Sequence, residues 1–487
     1  MQKRIMALFL VATGFIPLDS DAAAIRWESC LNSKFRSWFE DNLPHPRTRC
    51  GYLEVPLSYS NNTDINHNDQ DRPVRIALTL LPARNVRQGS LLIISGGPGQ
   101  SGINPWLDTD WPVNRLNESW DIVGYDPRGV GQSIPKIDCT APEKSSFRPV
   151  TPEQEIRNRI NACTDKTGAE VLKHIGTDEA VNDVDQIRKA LGESKLTAVA
   201  YSYGTQVALF YAERFPDAVR ALVLDGVVDL NEAKDGFAWQ ITQARGYQSS
   251  FERFASWCAE TGSCPLSADS RLANQQYQSL LRRLNTRPLY GPEGQQISSD
   301  DLISLTTSLL LWRTSWPLLA TAVRQLSHGI ISKEIVDALS YASSSYGEQD
   351  ALDAITCADQ ASSDYGQNDI LHKKKLIREA FPAINFLHSA PLSPDLCDLW
   401  PWKNNVHSKR PANIPHLPQL LFVAQRHDPT TPWNNAKSMA AQFNSPLVTR
   451  EGDGHTLVLS GISLCVDKMV VDYLTGPDKK FHDKICL

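Results

Sequence analysis

The run Leu196-Thr197-Ala198-Val199-Ala200-Tyr201-Ser202-Tyr203-Gly204 is an almost unbroken apolar segment that ends on a serine with small residues two places to either side. A short run of this kind reads as a strand buried on both faces, the situation of a parallel sheet covered by helices. Upstream, Val181, Val184, Ile187 and Leu191 recur at spacings of three and four, which builds one apolar helix face leading through Gly192 into the strand. Downstream, residues 204–215 read as a second helix stopped by Pro216, and Ala221 opens the next apolar run. Helix, strand, helix and strand in succession predict an α/β fold. Runs at 74–81, 91–95, 120–125, 221–224 and 419–424 supply the other strands.

Ser202 stands where a buried strand meets a helix, and a sharp turn at such a point lifts a hydroxyl above the sheet. Tight backbone packing there asks for small residues at 200 and 204, and Ala200 and Gly204 provide them. Ser95-Gly96-Gly97-Pro98-Gly99 follows another strand, and its glycines let the backbone approach a substrate closely. The amides of Gly97 and Tyr203 are therefore candidate donors to the oxyanion of a tetrahedral intermediate. A phosphate-binding loop would add a lysine followed by serine or threonine, and no such pair is present here.

Toward the other end, Asp428 follows the strand at 419–424, and His455 lies in Gly452-Asp453-Gly454-His455. In this chain order Ser202, Asp428 and His455 form a candidate triad, with His455 as base and then acid, and Asp428 holding its imidazole. Asp225, after the strand at 221–224, is the reserve acid. His427 and Asp453 are lesser candidates. This chemistry calls for no cofactor and no metal.

The bulk properties agree with an ordinary globular enzyme. The 487 residues are 41% apolar and 21% charged with a net charge of -6, which gives no electrostatic reason to expect a nucleic acid or an anionic membrane as partner. A peptide or small-molecule substrate fits better. Lys3 and Arg4 precede a mostly apolar stretch to Leu18 and then Ala22-Ala23-Ala24, the pattern of an export signal cleaved near residue 25. Ten cysteines, an even number without any C-x-x-C pair, point to disulfides in a periplasmic or extracellular protein. Pairing each cysteine with its neighbour closes five short loops without threading. Nothing before Cys30 resembles a lipid-anchor signal.

Four segments are expected: a signal peptide at 1–24, an α/β core at 25–230 and 411–487, and between them a helical lid at 231–410, where β-branched runs give way to helical ones such as 302–311 and 318–326.

The loop Ser95-Gly96-Gly97-Pro98-Gly99 with Ser101 and Gly102, the stretch Asp126-Pro127-Arg128-Gly129-Val130-Gly131-Gln132-Ser133, the Ser202 turn, Leu224-Asp225-Gly226-Val227-Val228-Asp229, and Asp428 with Thr431-Pro432 together resemble the peptidases related to proline iminopeptidase. The length and the cysteine-bearing lid look closest to exported bacterial tripeptidyl aminopeptidases. The resemblance spans about 50–230 and 411–474, with a weaker echo at 355–359. It implies an α/β-hydrolase fold with an inserted helical lid and a serine aminopeptidase releasing tripeptides, short peptides or amino acids. Ser95 stands where proline iminopeptidases have histidine, and Ala200 where they have glycine, which moves the chain away from the proline-specific branch. Asp126 and Arg128 are expected to pair with each other or to brace the loop beside the oxyanion site.

An exopeptidase also needs a buried carboxylate for the free ammonium group. Asp359 in the lid is the first candidate, against the alternative of a solvated helix acid, and Glu348 and Asp350 are weaker ones. Trp239, Trp312, Trp316, Trp400 and Trp402 could line a cleft or fill the lid core. Two rival functions stand beside the peptidase: an exported esterase or amidase of small molecules, and a noncatalytic binding protein on the same scaffold. Haloalkane and epoxide chemistry would need aspartate at position 202 as the ester-forming nucleophile.

Overall fold

The computed structural model describes residues 24–39, 43–59, 73–103, 112–140, 151–232, 236–343, 346–360, 367–387, 394–404 and 414–487. Residues 1–23 of the expected export signal lie outside them.

The strands, in chain order, are β1 (Glu28–Ser29), β2 (Arg49–Val55), β3 (Val74–Leu81), β4 (Gly89–Ile94), β5 (Trp120–Tyr125), β6 (Leu196–Tyr201), β7 (Val219–Asp225), β8 (Leu289–Tyr290), β9 (Gln296–Ile297), β10 (Leu421–His427), β11 (Leu447–Asp453) and β12 (Lys484–Cys486). Ten of them form one sheet in the order β1-β2-β3-β5-β4-β6-β7-β10-β11-β12, and β8 pairs with β9 apart from it. Pairing is antiparallel from β1 through β3 to β5, and parallel across every pair from β5 to β12. This is the α/β-hydrolase fold, a large, mostly parallel sheet flanked by helices.

The near-continuous apolar strands follow from two cores. Along β6, Leu196, Ala198 and Ala200 join the core on one face, and Val199 joins that on the other. Along β10, Phe422 and Ala424 face the first core while Leu421 and Val423 face the second. A period of two with apolar groups in both phases leaves no polar face, which is why these segments read as runs rather than alternations. The helix Thr177–Ala190 lays Val181, Val184 and Ile187 on the first core, each fully buried, and the helix Tyr203–Arg214 adds Val207 to Ala212.

Between β7 and β10 the described chain is mostly helical. Helices Gly236–Glu260, Ser270–Thr286, Ser299–Leu310 and Trp316–Ser327 enclose a core of their own around Phe251, Phe254, Tyr277 and Trp316. This region is fastened to the sheet beside His455. The Leu311 carbonyl accepts the His455 amide at 2.8 Å, Trp312 bridges to Gly454, and Arg253 pairs with Asp453. Trp316 and Trp400 are buried in packing cores, whereas Trp239 lines a cavity.

The five disulfides join neighbours in sequence: Cys30–Cys50, Cys139–Cys163, Cys258–Cys264, Cys357–Cys397 and Cys465–Cys486. Among the described residues no helix is long and apolar enough to cross a membrane.

One pairing differs from expectation. Arg128 does not pair with Asp126. Its guanidinium forks onto the two oxygens of Asp183 at 2.7 and 2.6 Å and donates to the carbonyls of Leu57 and His174. Asp126 instead accepts from Ser101 and from the amides of Gly102 and Gln132, which fixes the turn behind the glycine loop. Both acids are buried, and a buried charge persists only where its hydrogen-bonding capacity is met.

Candidate active site

Ser202 sits between β6 and its helix with φ 53° and ψ −124°, a conformation that costs free energy in any residue with a Cβ. The surroundings hold it there. Its amide donates to the Asp225 carbonyl at 2.8 Å, and its carbonyl accepts from the Thr205 hydroxyl at 2.6 Å. Neighbouring glycines make the room. A Cβ at Gly204 would lie 2.5 Å from the Ser95 carbonyl oxygen, and one at Gly96 would lie 2.8 Å from the Ser202 Cβ. The small residues the sequence carries here are thus sterically required.

His455 follows β11. Its Nδ1 lies 2.8 Å from Oδ2 and 3.0 Å from Oδ1 of Asp428. The Asp428 carboxylate is fixed by the amides of Thr430 and Thr431 at 2.8 and 2.9 Å and by the Thr431 hydroxyl at 3.0 Å. Burial alone would depress the imidazole, but the charge and hydrogen bond of Asp428, with Asp225 adding to them, raise its pKa above the ordinary histidine value. Such a pair can accept a proton at Nε2 and hold it as an imidazolium.

Asp225, the reserve acid, does not contact the imidazole. Its Oδ2 accepts the amides of Leu457 and Val458 at 2.6 and 2.7 Å, in the loop that leaves His455, and its Oδ1 has no hydrogen-bond partner. Burial pushes this carboxyl up to about 7. Asp467 grips the same loop through the amides of Leu459 and Gly461. Of the lesser candidates, Asp453 pairs with Arg253, and His427 is half-buried beside Arg253 with its pKa lowered mainly by burial.

A cavity of about 80 Å³ joins the candidates. Ser202, Gly97, Tyr203 and Asp359 all line it, with Gln206, Trp239, Gln243, Gln360, Thr430 and Thr431. Tyr203 is the first residue of its helix, where an amide has no acceptor within the helix.

Asp359 ends the helix Tyr346–Asp359 and is not a solvated acid. Its Oδ1 accepts the Thr177 amide at 2.8 Å, and its Oδ2 accepts the hydroxyls of Thr177 at 2.6 Å and Tyr203 at 2.8 Å. Burial raises its pKa against these bonds. Asp350 is occupied elsewhere, by the Cys139 amide and Arg159. The Glu348 side chain lies outside the described residues.

Sequence reading missed Thr177, Gln206 and Gln243. Gln206 had a signal, since it lies four places after Ser202 and so one helical turn along the same face. Among the described residues no cluster of three histidine, cysteine, aspartate or glutamate side chains could hold a metal ion.

Comparison with known proteins follows the geometry. A family described as the alpha/beta hydrolase fold matches residues 89–461. YuaR of Escherichia coli (strain K12), whose name says no more than hydrolase, is 50% identical over 473 residues, 97% of this chain and 95% of YuaR. Serine protease Hip1 of Mycobacterium tuberculosis (strain ATCC 25618 / H37Rv) is 33% identical over 460 residues, covering 88% of this chain and 85% of Hip1. The Tripeptidyl aminopeptidase of Streptomyces lividans is 27% identical over 95% of this chain and 87% of its own. A protein named Carboxylesterase B, from the same Mycobacterium tuberculosis strain, is 31% identical over 92% of this chain and 87% of its own. No relationship to proline iminopeptidase itself emerges from these matches.

Proposed function

The chain belongs to the α/β-hydrolase family, and on that premise we propose that it is an exported serine aminopeptidase that releases short peptides from free N-termini. The observation that carries this reading is Asp359, a half-buried carboxylate lining the cavity that Ser202 also lines. Its Oδ1 has one hydrogen-bond donor, the Thr177 amide, and so keeps capacity for an ammonium group.

In the proposed reaction the Ser202 hydroxyl attacks the scissile carbonyl and its proton passes to Nε2 of His455. Asp428 holds the opposite nitrogen and stabilises the imidazolium. The amides of Gly97 and Tyr203 receive the oxyanion. Collapse breaks the C–N bond, and the imidazolium protonates the leaving amine, leaving an ester on Ser202. Water then attacks with His455 as base, releasing the N-terminal fragment and restoring the serine. Residues 231–410 act as the lid over this site, and residues 1–24 as the signal removed on export. The five disulfides fit that destination.

The second reading is an esterase or amidase of small molecules, favoured by the relative named Carboxylesterase B. A tripeptide 4-nitroanilide assayed with free and with acetylated N-terminus separates the two. Hydrolysis of the free form alone supports the aminopeptidase; equal hydrolysis of both sinks it in favour of the second reading.

A further inference from the structure

Helix Gly236–Glu260 presents Gln240, Gln243, Ala244 and Tyr247 at spacings of three and four, so these side chains share one face. All four line a second cavity, of about 560 Å³, together with Phe381, Asn385 and residues of the helix Gln367–Ala380. Gln243 also lines the cavity of Ser202 and Asp359, so it borders both spaces.

Size argues that the two work together. Pockets that bind ligands run from roughly 300 to 1,000 Å³. The space at Ser202, about 80 Å³, falls below that range, and the second cavity, about 560 Å³, falls inside it. The larger volume near Ser202 is thus the one on the other side of Gln243.

The lining suits a peptide. Tyr247 and Phe381 stack at 6.0 Å to give an aromatic wall for a side chain. The side-chain oxygen of Asn385 is buried without a hydrogen-bond partner, a costly arrangement that a donor from a ligand would relieve. Lys374 lines the cavity with its charge balanced by Asp395 and by Asp398, the latter at 3.0 Å. The lining is largely apolar, with Lys374, Arg378 and Asp395 as its charged members.

We infer that this second cavity is the binding site for the peptide segment beyond the scissile bond, with Asn385 accepting one of its backbone N–H groups. The assignment rests on the aminopeptidase reading, because a chain whose ammonium group is held by Asp359 in the first cavity must leave Ser202 in another direction.

The test uses two substrates with the same free N-terminal tripeptide, one ending in 4-nitroanilide and one continuing for four residues. Asn385→Leu removes the acceptor, and Ala244→Phe fills the cavity, so the conclusion survives if one variant fails to fold. In either variant, kcat/KM for the extended peptide falls about tenfold, mostly through KM, as expected for one lost hydrogen bond or its equivalent, while the anilide is little changed. An unchanged ratio between the two substrates overturns the assignment alone. Wild-type protein inactive on both overturns the aminopeptidase reading and this assignment with it.

Discussion

The backbone carbonyl of Asp225 accepts the amide of Ser202, while the carboxylate of the same Asp225 holds the two amides that follow Thr456 in the loop leaving His455. One buried residue thereby ties the backbone of the proposed nucleophile to the loop that follows its base. Replacing it with leucine leaves two buried amides unpaired and frees the loop. The Asp225→Leu variant should lose about 10²-fold in kcat with KM little changed, the usual cost of a displacement near 1 Å. Asp225→Asn keeps an oxygen for the amides and should retain most of the activity. Steady-state kinetics on both, at temperatures where each is folded, check this; equal losses in both would show that the hydrogen bonds are not what matters.

The pH profile carries the electrostatics of His455. The imidazole must be neutral to accept the Ser202 proton, and its pKa is raised, so kcat/KM should climb through a midpoint above the ordinary histidine value of about 6.5. Asp428→Asn removes the charge that raises it, and the midpoint should move to lower pH as the maximum falls. Asp225 faces the same imidazole and contributes in the same direction. A midpoint unmoved by Asp428→Asn would remove Asp428 from its assigned role.

Asp359→Asn preserves shape and most hydrogen bonds while removing the charge. For a free N-terminal substrate kcat/KM should drop about 10- to 100-fold, the range for a charged hydrogen bond lost in a buried site. Hydrolysis of a simple acetate ester should change little. An equal loss on both substrates would make Asp359 a structural residue tied to Tyr203.

The Arg128–Asp183 pair is a statement about stability. Both side chains are 2% exposed, and removing one partner strands the other charge in the core. Arg128→Met should destabilise the fold by about 3–5 kcal/mol. Thermal unfolding measures it, and activity per folded molecule at low temperature should persist.

Much of this was legible in the chain. The strands β3, β5 and β6 were readable to the residue because their mostly apolar runs are bounded by turn residues. The turn at Ser202 and the neighbour pairing of cysteines were equally local. What sequence could not supply were contacts made between distant segments. Arg128 and Asp126 are close in sequence and opposite in charge, yet Asp183, 55 residues on, takes the guanidinium. Asp225 looked like a spare acid because it ends a strand beside the Ser202 strand, and only the path of the loop after His455 reveals that it holds amides. The cavity joining Asp359 to Ser202 depends on how the helix Tyr346–Asp359 docks, which no local pattern encodes.

The central claim is that Ser202 is the nucleophile. The most direct measurement is to treat the protein with a fluorophosphonate that traps activated serines and to map the adduct by mass spectrometry of the digested chain. The account predicts one stoichiometric adduct, on the peptide containing Ser202, absent from Ser202→Ala and strongly slowed in an Asp428→Asn variant. An adduct on another serine, or labelling that persists in Ser202→Ala, would contradict it.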